Sequence, residues 1–142
     1  MRKLAIAIDG PAGAGKSSVA KILAANMGYA YLDTGAMYRA VTYEVLRQEL
    51  TEEKDIVALA AGMDMTVKPE TDAMHVIVNG HDVTDHIRTP EVSARVSAVS
   101  ALAGVRAAMV EIQRRQAAKG GIVLDGRDIG TTVPVSYTHL TL

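Results

Sequence analysis

The most constraining feature of the chain is the sequence GPAGAGKS at residues 10–17, a glycine and four further residues followed by Gly-Lys-Ser. The apolar run at residues 4–8 directly before it predicts a short buried strand. After it, apolar side chains recur at helical spacing, at Val19, Ile22, Leu23 and Met27. A strand, a glycine-rich turn and a helix in this order predict an α/β fold with a parallel sheet.

This motif has the chemistry of a polyphosphate-binding site. Glycines let backbone N–H groups converge on phosphate oxygens without Cβ clashes, and the helix N-terminus adds partial positive charge. Lys16 would act on the β- and γ-phosphates as a catalytic group, and the Ser17 hydroxyl would ligate Mg²⁺. The alternative is a glycine-rich turn that only caps a helix. The residues predicted to bind the polyphosphate, which would be ATP if the family resemblance described below holds, are Gly10, Pro11, Ala12, Gly13, Ala14, Gly15, Lys16, Ser17 and Ser18.

The composition argues against several classes of protein. With 142 residues, 49% of them hydrophobic, the chain is long enough for a compact domain with a sizeable core. Its net charge of −1 argues against a large nucleic-acid-binding surface, and the absence of cysteine excludes disulfides and thiolate zinc sites. No apolar run approaches the ~20 residues of a membrane span, and the N-terminus is too short for a signal peptide. We therefore expect a soluble cytoplasmic protein without nucleic-acid or membrane partners.

Strand and helix signals alternate through most of the chain. Residues 29–32 predict a second strand, and residues 36–46 predict a helix with Met37 and Val41 on its inner face. A later helix is predicted from about residue 105 to residue 118, with Gly120-Gly121 ending it, and a buried strand formed by Ile122-Val123-Leu124 follows.

The middle of the chain has a different period. Residues 63–67 alternate between apolar and polar side chains, and residues 74–78 are rich in β-forming residues. Asn79-Gly80 is the strongest short signal for a β-hairpin. Helical spacing resumes at Thr89-Pro90, a cap followed by proline at the first helical position. We therefore predict a small antiparallel unit inserted into a strand–helix chain.

Polar residues follow three of the predicted strands. In an open parallel α/β sheet, ligands lie beyond the carboxyl ends of the strands. Three segments lie at these ends. The first begins with Asp9-Gly10, the second covers residues 33–39, and the third covers residues 125–128. They supply glycines, carboxylates and arginines to one edge of the sheet.

Two of these ends allow both a functional and a structural interpretation. An anion at the second could receive the Thr34 hydroxyl and the Arg39 guanidinium, or the two could be a helix cap and a surface arginine. At the third end, one Asp could support Mg²⁺ while Arg127 binds a phosphate. Alternatively, Asp125, Arg127 and Asp128 could form a solvated turn with a local ion pair.

Other polar residues are less informative taken alone. Ser97 has the pattern of a helix-surface serine, and Arg106 that of an arginine at a helix start. His75, His81 and His86 lie on the hairpin and the loop after it, where surface or packing roles are favoured over metal binding.

Four motifs in order closely resemble the bacterial cytidylate kinases. They are IDGPAGAGKS at residues 8–17, LDTGAMYR at 32–39, IRTPEV at 87–92 and DGRDIGT at 125–131. The resemblance covers residues 3–133. It implies a nucleoside monophosphate kinase-like phosphate-loop fold with a parallel sheet, flanking helices, a CMP-binding insert and a mobile lid. It also implies transfer of the γ-phosphoryl group of ATP to CMP or dCMP with Mg²⁺.

The resemblance also assigns roles to individual residues. It implies that Arg39 and Arg127 hold the CMP phosphate and serve the catalysis together with Lys16, and that Thr34 and Tyr38 line the acceptor pocket. The cytosine edge would be contacted by Ser97, Arg106 and Asp128, and Asp125 would contribute to the CMP site and support the metal.

The resemblance ends after Val133. It implies an incomplete kinase core at residues 1–61 and 97–133 and a CMP-binding insert at residues 62–96. The divergent tail at residues 134–142 matches neither the family's next core strand nor its arginine-rich lid. Its Thr, Tyr and Val residues would nevertheless tolerate a strand. Because the lid is missing, we expect an incomplete kinase. We also expect a monomer. The alternatives are a nucleotide-binding fragment without turnover and another phosphate-loop small-molecule kinase.

Overall fold

A computed structural model describes residues 5–9, 16–69, 74–126 and 138–141 of the chain. In chain order the elements are β1 (Ala5–Asp9), α1 (Lys16–Met27), β2 (Ala30–Asp33), α2 (Thr34–Arg47), α3 (Glu53–Gly62), β3 (Met65–Pro69), β4 (Met74–Val78), β5 (His81–Asp82), a 3₁₀ turn (Thr84–His86), α4 (Pro90–Ser100), α5 (Ala103–Ala118), β6 (Ile122–Gly126) and β7 (Thr138–Thr141).

The chain divides into two compact units. The described residues of the first unit fall within Met1–Thr34, Pro69–Met74 and Glu111–Leu142. The second unit consists of Gly35–Lys68 and His75–Val110. The boundaries that the sequence suggested for a kinase core, an insert and a tail stay a prediction.

The first unit contains a four-stranded parallel sheet in the order β2-β6-β1-β7. The predicted strands before the glycine-rich motif, at residues 29–32 and at 122–124 are confirmed. The described side chains of β1 and β6 are buried along continuous runs, as at Ile8 and Leu124, which is typical of parallel strands covered on both faces. In β2 only Leu32 is buried. In this order β6 lies between β1 and β2, so the chain leaves the sheet after β2 and returns between two strands already placed.

The helix predicted after the glycine-rich motif is confirmed as α1, but its largest apolar side chains are not the buried ones. Val19 is 40% and Ile22 62% exposed. Ala20 and Ala24 instead pack in one cluster with the sheet residues. Because alanine has only a Cβ, this face lets the helix backbone approach the sheet closely.

The tail contributes a strand to the same sheet. β7 pairs in parallel with β1, with Ile6 opposite Thr138 and Asp9 opposite Thr141. The expectation that the tail tolerates a strand is therefore confirmed. This pairing covers the edge of β1 that would otherwise expose a row of unpaired backbone groups.

In the second unit α2 presents a completely buried face, formed by Met37, Ala40, Val41 and Val45. The predicted helix at 36–46 is confirmed, although it begins two residues earlier. β3, β4 and β5 form a separate three-stranded sheet. Asn79 and Gly80 join β4 to its antiparallel neighbour β5 with φ values of 50° and 85°, the positive values that a type I′ hairpin turn requires.

None of the helices in the described segments is by itself long and apolar enough to cross a membrane. The pair α4 and α5 passes the criteria of length and composition only when taken together, and the two helices are bent by 97° at the break.

Candidate functional site

The phosphate-loop motif lies in the context that its sequence predicts. β1 ends at Asp9 and α1 begins at Lys16, so the glycine-rich segment connects a buried strand to a helix N-terminus. Residues 10–15 lie outside the described residues, as do Arg127 and Asp128 and the side chains of Lys16 and Ser17. Ser18 is exposed on the first turn of α1.

Three strand ends meet at one edge of the sheet, as the sequence predicts. Asp9 at the end of β1 is in register with Gly126 of β6. On the other side of β6, Asp33 at the end of β2 is in register with Asp125. The segment after β1 therefore starts at the same sheet edge as Asp125 and the start of α2.

Asp125 is the best-defined polar group at this edge. Its side chain is buried, with only 1% of the residue exposed. The Tyr31 hydroxyl donates a hydrogen bond of 2.6 Å to its Oδ2 atom. A buried carboxylate is costly unless hydrogen bonds satisfy it, and a bond to the charged form stabilises that form. Tyr31 therefore helps to hold the Asp125 side chain in place.

Thr34 is fixed by the same strand end. It is the first residue of α2, is 5% exposed, and donates from Oγ1 to the backbone oxygen of Asp125 at 2.8 Å. A threonine hydroxyl carries a single proton, so in this arrangement the proton points at the protein backbone. The bond ties the start of α2 to the end of β6. The contact between Thr34 and an acceptor substrate stays a prediction.

The groups at this edge fit a magnesium ion that arrives with its nucleotide. A carboxylate oxygen is the hard ligand that Mg²⁺ prefers, and this ion usually takes one or two carboxylates with waters and substrate phosphates. In the part of the chain that is described, no group of three His, Cys, Asp or Glu residues could enclose a metal alone. A single buried carboxylate, Asp125, suits the shared type of site.

In the second unit, Arg39 of α2 is held by the segment that leads into α4. Its Nη1 atom donates to the backbone oxygen of Ile87 at 3.3 Å and to Oγ of Ser93 at 2.9 Å. Thr89 caps α4 by accepting from the backbone nitrogen of Val92 at 3.3 Å, with Pro90 at the first helical position. The cap prediction is confirmed, and it fixes the turn that carries both acceptors of Arg39.

Tyr38 and Arg106 are close enough to interact electrostatically. Burial raises the pKa of the Tyr38 phenol above its usual range, while the Arg106 guanidinium acts in the opposite direction. The phenol is therefore a neutral group at physiological pH that can donate a hydrogen bond. Ser97 is exposed on α4, and its hydroxyl has no hydrogen bond to any other described residue.

Sequence reasoning missed Tyr31 and Ser93. Tyr31 is in register with Val123, two residues before Asp125, so the two side chains lie diagonally on neighbouring strands. Only the strand order places β2 beside β6, and the sequence does not reveal that order. Ser93 lies 54 residues from Arg39 and had no local signal, because a serine in the first turn of a helix is common.

The hairpin histidines have local contacts of other kinds. Nδ1 of His75 lies 2.9 Å from Oδ2 of Asp82, and the ring of His86 stacks on Tyr43 with centroids 5.4 Å apart. A contact with a carboxylate and a ring stack are therefore local interactions of these two side chains.

Comparison with known proteins agrees with this architecture. The sequence model of the cytidylate kinase family matches residues 6–137. The cytidylate kinases of Desulfitobacterium hafniense and Bacillus subtilis are each 51% identical to the chain over 134 residues, which is 93% of its length. That of Enterococcus faecalis is 49% identical over 135 residues, or 94% of the chain.

The matched segment is 57% of the length of the D. hafniense protein and 60% of the other two, so the chain spans less than two thirds of these relatives. Within that span the similarity includes the strand, motif and helix at the N-terminus and the strand that carries Asp125. The chain belongs to the cytidylate kinase family.

Proposed function

We propose that the whole protein transfers the γ-phosphoryl group of ATP to CMP or dCMP, giving CDP or dCDP. One observation carries the proposal. The segment after Asp9 starts at the same edge of the sheet as Asp125, whose side chain is buried. Phosphoryl transfer depends on positioning and charge neutralisation more than on covalent help from the protein. A phosphate loop beside a fixed carboxylate supplies both.

In this proposal the ATP phosphates bind residues 10–18. The backbone N–H groups of the loop and the N-terminus of α1 surround the phosphate oxygens, and Lys16 neutralises charge that develops on the transferred group. β1 is fixed by parallel neighbours on both sides, β6 and β7. The loop therefore starts from a rigid strand, as accurate positioning of a substrate requires.

Mg²⁺ is the metal that we propose for this edge. When bound, it would neutralise charge on the phosphates. Asp125 would hold it directly or through water, together with the Ser17 hydroxyl. Tyr31 would orient the carboxylate by donating to its Oδ2 atom.

The acceptor nucleotide would be recognised through its phosphate and its base. We propose that Arg39 and Arg127 bind the phosphate, because an arginine fork matches phosphate geometry. Cytosine offers an amino donor to a carboxylate, while its ring nitrogen and carbonyl accept from a guanidinium or a hydroxyl. Asp128, Arg106 and Ser97 have these functional groups.

The pocket itself would be lined by Thr34 and Tyr38. Tyr38 is suited to this task because its phenol is neutral at physiological pH and can donate to a phosphate or a sugar oxygen. We further propose that the protein works in the cytoplasm, since both nucleotides are small molecules of that compartment. We also propose that it works as a monomer.

A coupled assay of ADP release tests the proposal with the full-length protein. We expect CMP-dependent and dCMP-dependent turnover that needs Mg²⁺, with much lower kcat/KM for UMP and AMP. ATP binding without release of ADP in the presence of any monophosphate would contradict a kinase and would support a binding protein without turnover. Turnover that prefers another acceptor would identify a different small-molecule kinase.

A further inference from the structure

We infer that Ser93 is a positioning residue that sets the Arg39 guanidinium for the phosphate of the acceptor nucleotide. The inference rests on the proposed function, because it concerns the residue assigned to that phosphate. Its basis is the hydrogen bond of 2.9 Å from Nη1 of Arg39 to Oγ of Ser93, together with the bond of 3.3 Å to the Ile87 backbone oxygen.

Both acceptors are on a rigid part of the second unit. Ile87 is 1% exposed, and the side chain of Val92, next to Ser93, is completely buried. The Thr89 cap and Pro90 fix the backbone between them. Arg39 therefore meets two acceptors whose positions are set by packing, although the Arg39–Ser93 contact itself lies at the surface.

The two bonds select which edge of the guanidinium remains for a ligand. Nη1 carries two protons, and Ile87 and Ser93 accept both. The remaining donors are Nε and Nη2, which lie side by side and form the planar fork that binds two oxygens of one phosphate. Within the described segments no residue accepts from either of these atoms.

Holding Arg39 in advance matters because a free arginine side chain loses much rotamer freedom when it binds a ligand. The Ile87 oxygen alone could hold one Nη1 proton while the guanidinium turns about that bond. The Ser93 oxygen supplies the second point, which fixes the plane of the fork. Ser93 therefore acts on the substrate through Arg39 and does not need to touch it.

The test compares the full-length wild-type protein with Ser93→Ala, Ser93→Thr and Ser100→Ala. Ser93→Ala should raise KM for CMP about 5-fold, the size of one hydrogen bond, with KM for ATP unchanged. Ser93→Thr keeps the hydroxyl and should restore most of the affinity. Ser100→Ala is the matched control, because among the described residues its hydroxyl bonds only to the Val96 and Ser97 backbone oxygens of its own helix.

A double-mutant cycle with Arg39→Ala separates positioning from simple structural support. In the Arg39→Ala background, Ser93→Ala should have no further effect on KM for CMP, because its effect passes through the missing guanidinium. Unchanged KM in Ser93→Ala, or equal losses in both backgrounds, would overturn the inference while leaving CMP kinase activity intact. Absence of CMP turnover in the wild type would instead overturn the proposed function and this inference with it.

Discussion

The candidate-site side chains of the two units differ in how deeply they are buried. In the first, Asp125 and Thr34 are buried, and hydrogen bonds to neighbouring strands and helices satisfy them. In the second, Arg106 and Ser93 are exposed and Arg39 is half-buried. A buried polar group left without its partner is costly, whereas an exposed one can turn to water. Changes to the candidate-site residues of the first unit should therefore affect folding and chemistry together, and changes to those of the second unit mainly substrate binding.

The largest expected effect is the loss of turnover in Lys16→Ala, which tests whether a residue of the first unit can affect chemistry without affecting folding. Lys16→Ala should lower kcat at least about 10²-fold, because it removes a cation from the transferring phosphoryl group. The melting temperature should change little, since a residue at the start of a helix adds little to the core. Lys21→Ala on the same helix, whose Nζ lies 5.7 Å from the centre of the Tyr31 ring, is the matched control and should keep near-normal turnover.

The second prediction compares the units directly. Asp125→Ala leaves the Tyr31 hydroxyl without its acceptor and should lower the free energy of unfolding by about 1–3 kcal/mol, together with activity. Arg39→Ala should change that free energy by less than about 0.5 kcal/mol while it raises KM for CMP. Urea unfolding and steady-state kinetics on both variants make the comparison.

Tyr31→Phe shows which part of the Asp125 effect comes from the hydrogen bond. It removes the donor and keeps the carboxylate, so its stability loss should be smaller than that of Asp125→Ala. Equal destabilisation by Arg39→Ala and Asp125→Ala would show that the contrast between the units is wrong.

A third prediction concerns packing within the second unit. A Cβ atom at Gly104 in α5 would lie 2.5 Å and 2.8 Å from the two γ-carbons of Val57 in α3. These are short branches that cannot swing away, so Gly104→Ala should cost about 1–3 kcal/mol despite the better helix propensity of alanine. The free energy of unfolding in urea measures it.

Gly62→Ala is the matched control for this packing effect. Gly62 lies in the last turn of α3, and a Cβ there would have no neighbour within 4 Å. This variant should be neutral or more stable by up to about 1 kcal/mol. A gain in stability for both variants would mean that α3 and α5 are not in tight contact at Gly104.

The sequence could predict the features that depend on residues close together in the chain. The glycine-rich motif, the Thr89 cap and the Asn79-Gly80 turn each have a backbone requirement that only certain residues meet at a given spacing. The meeting of strand ends at one edge of the sheet also follows, because it needs only a parallel sheet. These predictions cover most of the fold and the location of the candidate site.

The features that escaped prediction depend on residues far apart in the chain. The bond between Tyr31 and Asp125 spans 94 positions and exists only because β6 lies between β1 and β2. The inner face of α1 was also hidden, because close approach to the sheet selects Ala20 over the larger Ile22. Helical spacing alone does not show which of two apolar stripes is the buried one.

The smallest expected effect is on the hairpin of the second unit, where a charged group lies at the surface. The hydroxyl of Thr84 donates to Oδ1 of Asp82 at 2.5 Å and His75 contacts Oδ2, which together lower the pKa of Asp82 to about 2 from its usual 3.8. Because folding lowers this pKa, the stabilisation is present above about pH 4 and is lost as the pH falls through 2.

Asp82→Asn should therefore lower the stability at pH 7 by less than about 1 kcal/mol, since the carboxylate is exposed and screened by solvent. The difference from the wild type should shrink between pH 4 and 2, because the wild-type carboxylate is then being protonated. Asp85→Asn is the matched control, since its exposed side chain has no hydrogen bond within the described segments. Thermal melts of both variants from pH 7 to pH 2 should show a pH-dependent difference for Asp82→Asn alone, and a constant difference would mean that its ionised form is not the one that stabilises the hairpin.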